Sequence, residues 1–465
     1  MPTQCCQDSL DFGTVEGRKV VAAFDGGAIT SDAGALLLGA TDKAIRLVDR
    51  FAACFRDGRD QHAIEHKLAT LLGQRIFAIA LGYEDLNDHD ELRHDPVLAV
   101  LAGKLTARRR SDCAVLAGKS TLNRLEHAPE EGPAYAPSRY HKISHDRAAI
   151  ETLFVTLFLE AYSTPPERII LDLDATDDPL HGAQEGRFFH GYYDCYCYLP
   201  LYIFCGHHLL AAKLRRSNID ASAGAREEIA RIVGQIRQRW PDVDIWLRAD
   251  SGFARDALMA WCEANGVHYV FGLARNQRLV GEIELELSAA MEVSSETGRP
   301  ARCYTEFAWA TLDSWSCSRR VVAKAEATRG EPNPRFIVTS LDAGQVAAQV
   351  LYEDIYCPRG DMENRIKECQ LDLMADRTSA STMRANQLRL WFASMAYVLI
   401  AALRRIALAG SELARATAGT IRLKLLKIGA RVTVSVRRVK IALTSACPQA
   451  DIFALAHHRL RCAAA

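Results

Sequence analysis

The chain has 465 residues, enough for about three domains, and it is 49% hydrophobic and 25% charged, so it can bury a sizeable core. Its net charge is zero, which excludes a uniformly basic or acidic protein, but the charge is unevenly spread: Arg377 to the end holds fifteen Lys and Arg against two acids, Glu412 and Asp451. The fourteen cysteines include no CxxC pair and no zinc spacing, and Met1–Gly13 carries no signal peptide, so a reduced, cytoplasmic compartment is expected.

Gly, Asp and Thr punctuate the first sixty residues. Gln61–Gly82 has Ile64, Leu68, Leu71 and Leu72 on one side and predicts a long amphipathic helix. The Asp- and His-rich run 88–94 reads as a solvated turn or helix start in preference to a metal site. Lys104–Arg110 is basic, Ser120–His127 predicts a short helix, Glu130–Ser138 a linker, and Ala148–Tyr162 another helix. From residue 167 the pattern changes. Strands are predicted at Arg168–Asp174, Gly191–Phe204, His208–Leu214, Pro241–Asp250 and Val267–Leu273, with helices at Ala223–Arg239 and Ala254–Asn265. Between 279 and 341 the helical signal fades, and runs such as Arg319–Ala325 and Arg335–Thr339 predict a β-rich insertion. Next come a helix after Asp361, its expected N-cap, and a long helix over Arg384–Leu408. The apolar part of that long helix, about Trp391 to Leu403, is too short to span a bilayer and reads as buried. Val432, Val434 and Val436 alternate with polar residues in a basic strand or hairpin.

Three carboxylates stand out. Asp174 and Asp250 end strand-like runs, and Glu363 shares one helix face with Ile366, Lys367 and Gln370, at offsets of three, four and seven. Asp172 points to the same strand face as Asp174 and rivals it; Asp174 is preferred because it lies where the backbone turns outward. Adjacent strands and a helix packed on them can bring three such acids into one oxygen-rich site. Hard cations such as Mg²⁺ suit that donor set. Two ions about 3.5–4 Å apart can clamp the attacking and leaving oxygens of a phosphoryl displacement. Tyr356 and Arg359, just upstream, can hold a phosphodiester oxygen.

These stretches resemble the bacterial insertion-sequence transposases with a DDE domain, in particular those with a Tyr-x₂-Arg-x₃-Glu-x₆-Lys signature. The likeness is carried by Leu171-Asp-Leu-Asp-Ala-Thr-Asp-Asp-Pro-Leu-His-Gly182, Leu247-Arg-Ala-Asp-Ser-Gly-Phe253 and Tyr356–Gln370, and also by residues 82–95 and 423–431. It implies an α/β fold: an RNase H-like mixed five-stranded sheet flanked by helices, a β-rich insertion before the Glu helix, and a mostly helical N-terminal domain. Expected boundaries are 1–162 for the helical domain, with DNA-end recognition, 163–278 and 346–410 for the catalytic core, 279–345 for the insertion and 411–465 for a basic tail. The resemblance further implies Asp174, Asp250 and Glu363 as catalytic and metal-binding residues with Mg²⁺, or Mn²⁺ in its place, as two ions. Tyr356, Arg359, Lys367 and Gln370 would face DNA phosphate. The implied partners are terminal inverted repeats, target DNA and a second copy of the chain, with no membrane. The implied reaction is strand cleavage and strand transfer. The alternatives are an RNase H-like endonuclease that does not join ends, and an impaired DNA-binding regulator. The signature is broken at one place: Gln370 stands where it has Lys.

Overall fold

The computed structural model describes residues 9–107, 114–131 and 140–464. Residues 108–110 of the basic run, most of the predicted linker and residues 1–8 of the segment searched for a signal peptide lie outside them. The chain forms two compact units. One comprises Met1–Ala128, Pro137–Ile143 and Met395–Ala465, and the other Pro129–Ala136 and Ser144–Ser394.

The second unit is built on a nine-stranded mixed sheet. Its elements, in chain order, include helix α1 (Arg147–Glu160) and strand β1 (Arg168–Ala175), then a hairpin of β2 (Phe188–His190) and β3 (Cys195–Tyr198) that belongs to a separate small sheet. Strands β4 (Leu201–Cys205) and β5 (His208–Lys213), helix α2 (Ala225–Arg239), strand β6 (Asp244–Ala249), helix α3 (Asp256–Ala264) and strand β7 (His268–Leu273) follow. Helix α4 (Glu284–Thr297) precedes β8 (Ala301–Trp309), β9 (Arg319–Thr328) and β10 (Arg335–Thr339), and α5 (Gly360–Lys367) and α6 (Met383–Leu403) close the series. The sheet order is β5-β4-β1-β6-β7-β10-β9-β8, with Glu331–Pro332 paired to β9. β1, β6 and β7 run parallel, and the remaining pairings are antiparallel.

Alternation along the strands explains the layers. Ile169, Leu171 and Leu173 of β1 face one side with Ile245, Leu247, Tyr269 and Phe271, and they are buried with Val155 and Phe158 of α1, Ile229, Ile232 and Ile236 of α2 and Met259 of α3. Trp246, Val270 and Ile337 face the other side, under Leu351 and Tyr352. Helix α1, assigned from sequence to the N-terminal domain, thus packs on this sheet.

Several expectations differ from the structure. The sheet does not stop at five strands, because β7 pairs antiparallel with β10, Val270 opposite Thr339, and draws the insertion into it. The insertion is not purely β: α4 has only a thin buried face, Leu287, Ala290 and Ser294, and so gave little apolar periodicity. The run Gly191–Phe204 is a turn plus two strands from different sheets. Asp361 is not an N-cap. Residues 348–372 are helical throughout, wound wide (π) over 351–356 and 368–372 and tight over 357–359, and Asp361 lies inside the first turn of α5. Helix 383–408 is long and apolar enough to cross a membrane by length and composition, yet 78% of its most apolar stretch is buried, as in a core helix.

The first unit joins both ends of the described chain. Ile29–Thr30 pairs with Ala430–Val434, which pairs in turn with Val439–Leu443. Gly34 has no room for a side chain, since a Cβ there would lie 2.0 Å from the Leu425 carbonyl oxygen. The predicted helix at 61–82 is shorter, Leu68–Ala80, and is buried over Thr70–Ala80, so it is a core helix. Its Arg75 forms a buried ion pair with Glu126, 2.6 Å apart, and His89 is buried beside Gln74, 3.0 Å away. Residues 82–95 and 423–431 meet here. Lys427 pairs with Asp32 at 2.6 Å and lies over the Tyr83 ring, and the Tyr83 hydroxyl donates to Asp32.

Candidate functional site

β1 and β6 are parallel neighbours, Ala249 opposite Leu173, so their C-terminal ends reach the same edge of the sheet. Asp174 is the penultimate residue of β1 and Asp250 follows the last residue of β6. Asp250 is fixed by capping the short turn Ser251–Phe253, where its Oδ1 accepts from the Gly252 N–H at 2.9 Å. Glu363 projects from α5. All three line one cleft of about 660 Å³, together with Arg359, Ile366, Lys367 and Gln370. The helix face read from sequence at 363, 366, 367 and 370 is the face that walls this cleft.

The electrostatics are those of crowded acids. Burial pushes the Asp174 carboxyl up to about 7; Arg359 opposes this, and the nearby charges of Asp250 and Glu363 add to it. The Arg359 guanidinium stands between two of the acids, donating to Glu363 Oε1 at 2.9 Å and reaching Asp174 Oδ2 at 3.5 Å. Burial works against the Arg359 cation, but Asp174, Tyr356, Glu363 and Asp250 together raise its pKa. Among the described residues no three His, Cys, Asp or Glu side chains are close enough to hold an ion between them. The chemistry of the three acids fits a hard cation, while Arg359 supplies the positive charge between Asp174 and Glu363.

Tyr356 does not line the cleft. Its hydroxyl lies against β7, where a Cβ on Gly272 would meet it at 2.5 Å and the Ser251 nitrogen at 3.0 Å. Burial raises its pKa. Gln370 lines the cleft and also donates from Nε2 to the Asp177 carbonyl at 2.8 Å, tying the helical segment to the loop after β1. Asp172, the rival of Asp174, is absent from the cleft. It is buried and receives both Nε and Nη2 of Arg248, at 2.5 and 2.8 Å, while Arg248 Nη1 donates to the Ile355 carbonyl at 2.6 Å. That pair stitches β1 and β6 to the segment that carries Tyr356.

Sequence reasoning did not pick out Asp177, His190, Tyr192 and Tyr193, which also line the cleft. Gly191 and Asp194 were the local turn signals. Asp194 has φ +53°, and its N–H donates to the His190 carbonyl at 2.9 Å.

The family described as transposase DDE domain group 1 matches residues 12–465 of the chain. No curated protein matches it. Among solved structures, the chain is similar to that of a piggyBac transposase synaptic complex with hairpin DNA, at 10% identity and a TM-score of 0.37, over 85% of this chain and 80% of that one.

Proposed function

Since the chain belongs to the transposase DDE domain group 1 family, we propose that it is an insertion-sequence DNA transposase that binds the terminal inverted repeats of its element, cuts at the element ends and joins them to target DNA. The observation that carries this reading is the convergence of Asp174, Asp250 and Glu363, from two strand ends and one helix, on a single cleft. The order β5-β4-β1-β6-β7, two antiparallel strands beside three parallel ones, supports an RNase H-like core.

In this reading Asp174, Asp250 and Glu363 hold Mg²⁺, or Mn²⁺, as a pair of ions. Bound there, the metal would lower the pKa of a water and absorb charge on the phosphate oxygens. Arg359 exchanges a carboxylate partner for a phosphate oxygen, which its planar fork suits. Lys367 and Gln370, on the cleft wall, complete the grip on the strand, and Tyr356 backs Arg359 from behind. The water oxygen bonds to phosphorus and the 3′-oxygen leaves, taking up a proton; that 3′-hydroxyl then gives up its proton and bonds to a target phosphorus, whose own bridging 3′-oxygen leaves. Both steps are displacements at phosphorus, so one cleft serves both. Joining two ends requires two copies of the chain. The first unit, with the basic residues after Arg377, serves end recognition and backbone contact. The eleven described cysteines are free thiols, which supports work in the cytoplasm, at the nucleoid when DNA-bound.

The test is a cleavage and strand-transfer assay with Mg²⁺ on a duplex bearing the repeat that flanks the gene. Asp250→Asn should lose cleavage and joining by at least about a hundredfold while still binding the duplex. Cleavage unchanged in that variant would remove Asp250 from the site. Cut but never joined ends would favour the endonuclease, and binding without cutting by the native protein would favour the regulator.

A further inference from the structure

One wall of the cleft is aromatic and lies on an element that no step above uses. The turn of the β2–β3 hairpin, residues 191–194, brings Tyr192 and Tyr193 to the cleft, with His190 behind them. Tyr192 is 86% exposed, so its ring is open to a partner. The rings form a graded series: Tyr192 meets Tyr193 edge-on at 5.0 Å, and Tyr193 meets His190 at 4.9 Å. Tyr193 is anchored through its hydroxyl, which donates to the Ala175 carbonyl at 3.4 Å, one residue from Asp174. The His190 Nδ1 is buried without a hydrogen-bond partner among the described residues. On the opposite face of the hairpin, Phe189 and Tyr196 are paired, and Arg187 lies over the Tyr196 ring at 4.6 Å.

We propose that the Tyr192–Tyr193 turn is a stacking platform for an unpaired nucleobase of the DNA strand whose phosphate occupies the carboxylate cleft. The proposal rests on the transposase reading. Its own support is the continuity of the exposed ring with the cleft that would hold the phosphate. A paired base presents only its edge, whereas an unpaired one offers a whole face to an aromatic ring. Distance favours the same occupant: a ring on the cleft wall reaches the base attached to a phosphate held beside Asp174, and its neighbours, but not remote ones.

The experiment compares Tyr192→Ala and Tyr192→Trp with the native full chain on three duplexes bearing the repeat: fully paired, mismatched next to the cleaved phosphate, and abasic there. The tip is exposed, so both variants should melt as the native protein does. Tyr192→Ala should cut the paired duplex about tenfold or more slowly. Tyr192→Trp should retain most of the rate, and the mismatch should restore most of what Tyr192→Ala loses. A 2-aminopurine at that position should change its fluorescence on binding to the native protein and not to Tyr192→Ala. Equal loss on all three duplexes, no loss at all, or a loss that instead follows weakened self-association of the chain would overturn the platform while leaving the transposase reading in place. Failure of the native protein to cut any duplex would bring down the transposase reading, and the platform with it.

Discussion

Arg359 shows how one residue can both protect and equip a site. Two or three carboxylates left facing one another in a partly buried cleft repel, and the usual relief is protonation. Asp174 carries that burden: burial puts its pKa near 7, above the usual carboxylate range. Its neutral form is therefore favoured by folding. That contribution to stability is complete below about pH 4 and is lost as the pH rises through about 7. The metal-free protein should thus melt at progressively lower temperature from pH 5 to pH 8, and Asp174→Asn should flatten that slope and be the more stable protein at pH 8, by on the order of 1–2 kcal/mol. A melting temperature of the native protein that is level over this window would show that Asp174 is already ionised at pH 5. Gln370 poses the other question at this scale. It lies on the cleft wall and holds the Asp177 carbonyl, so the residue that breaks the family signature has a structural task. Gln370→Lys would add one cation to the wall. We expect tighter DNA binding and a salt dependence steeper by about one charge, read from binding isotherms at several salt concentrations.

Elements make the site rigid, and here the sequence was only partly legible. The two strand-end acids could be found because β1 and β6 are short apolar runs that stop at an Asp, and Glu363 because helical spacing groups it with Lys367 and Gln370. What escaped notice was long-range or masked by composition. No local pattern says that Val270 will pair with Thr339. In Tyr-rich Gly191–Phe204 the aromatic and apolar residues outweigh Gly191, Asp194 and Pro200, so the turn that forms the cleft wall was hidden. Pro358 and Gly360 look like breakers, yet the segment stays helical through them by changing its winding. Asp172 could not be separated from Asp174 by alternation alone; the partner, Arg248, lies opposite it on the neighbouring strand. Removing one partner of that buried pair should be expensive: Arg248→Met should lower stability by about 3 kcal/mol in denaturant unfolding, and Asp172→Leu on top of it should recover much of the loss. Gly272→Ala should press on the Tyr356 hydroxyl and the Ser251 nitrogen. A cost of about 1–3 kcal/mol is expected, together with a fall in DNA cleavage larger than any fall in binding.

Charge at the scale of the whole molecule is arranged rather than abundant. A neutral total hides a C-terminal stretch with thirteen more cations than acids, fifteen against two. If that stretch contacts a phosphate backbone, affinity for a duplex should fall by roughly a thousandfold or more between 50 and 200 mM salt; a flat response would exclude it as the contact surface. The same stretch is part of a folded unit, for Ala430–Val434 extends a sheet begun by Ile29–Thr30, and Leu425 and Leu426 press their backbone against Gly34. A chain cut at residue 410 should therefore lose the cooperative melting of the first unit as well as its DNA affinity, checked by calorimetry. There is also a cost in time. A ribosome that has made Thr30 must add 400 residues before Ala430 appears, roughly 20–80 s at ordinary rates of synthesis. Through that interval helix Leu36–Ile45 waits for Ala450–Ala463, which packs against it, so the newborn protein should be a steady client of chaperones, and one released early should be removed by proteases.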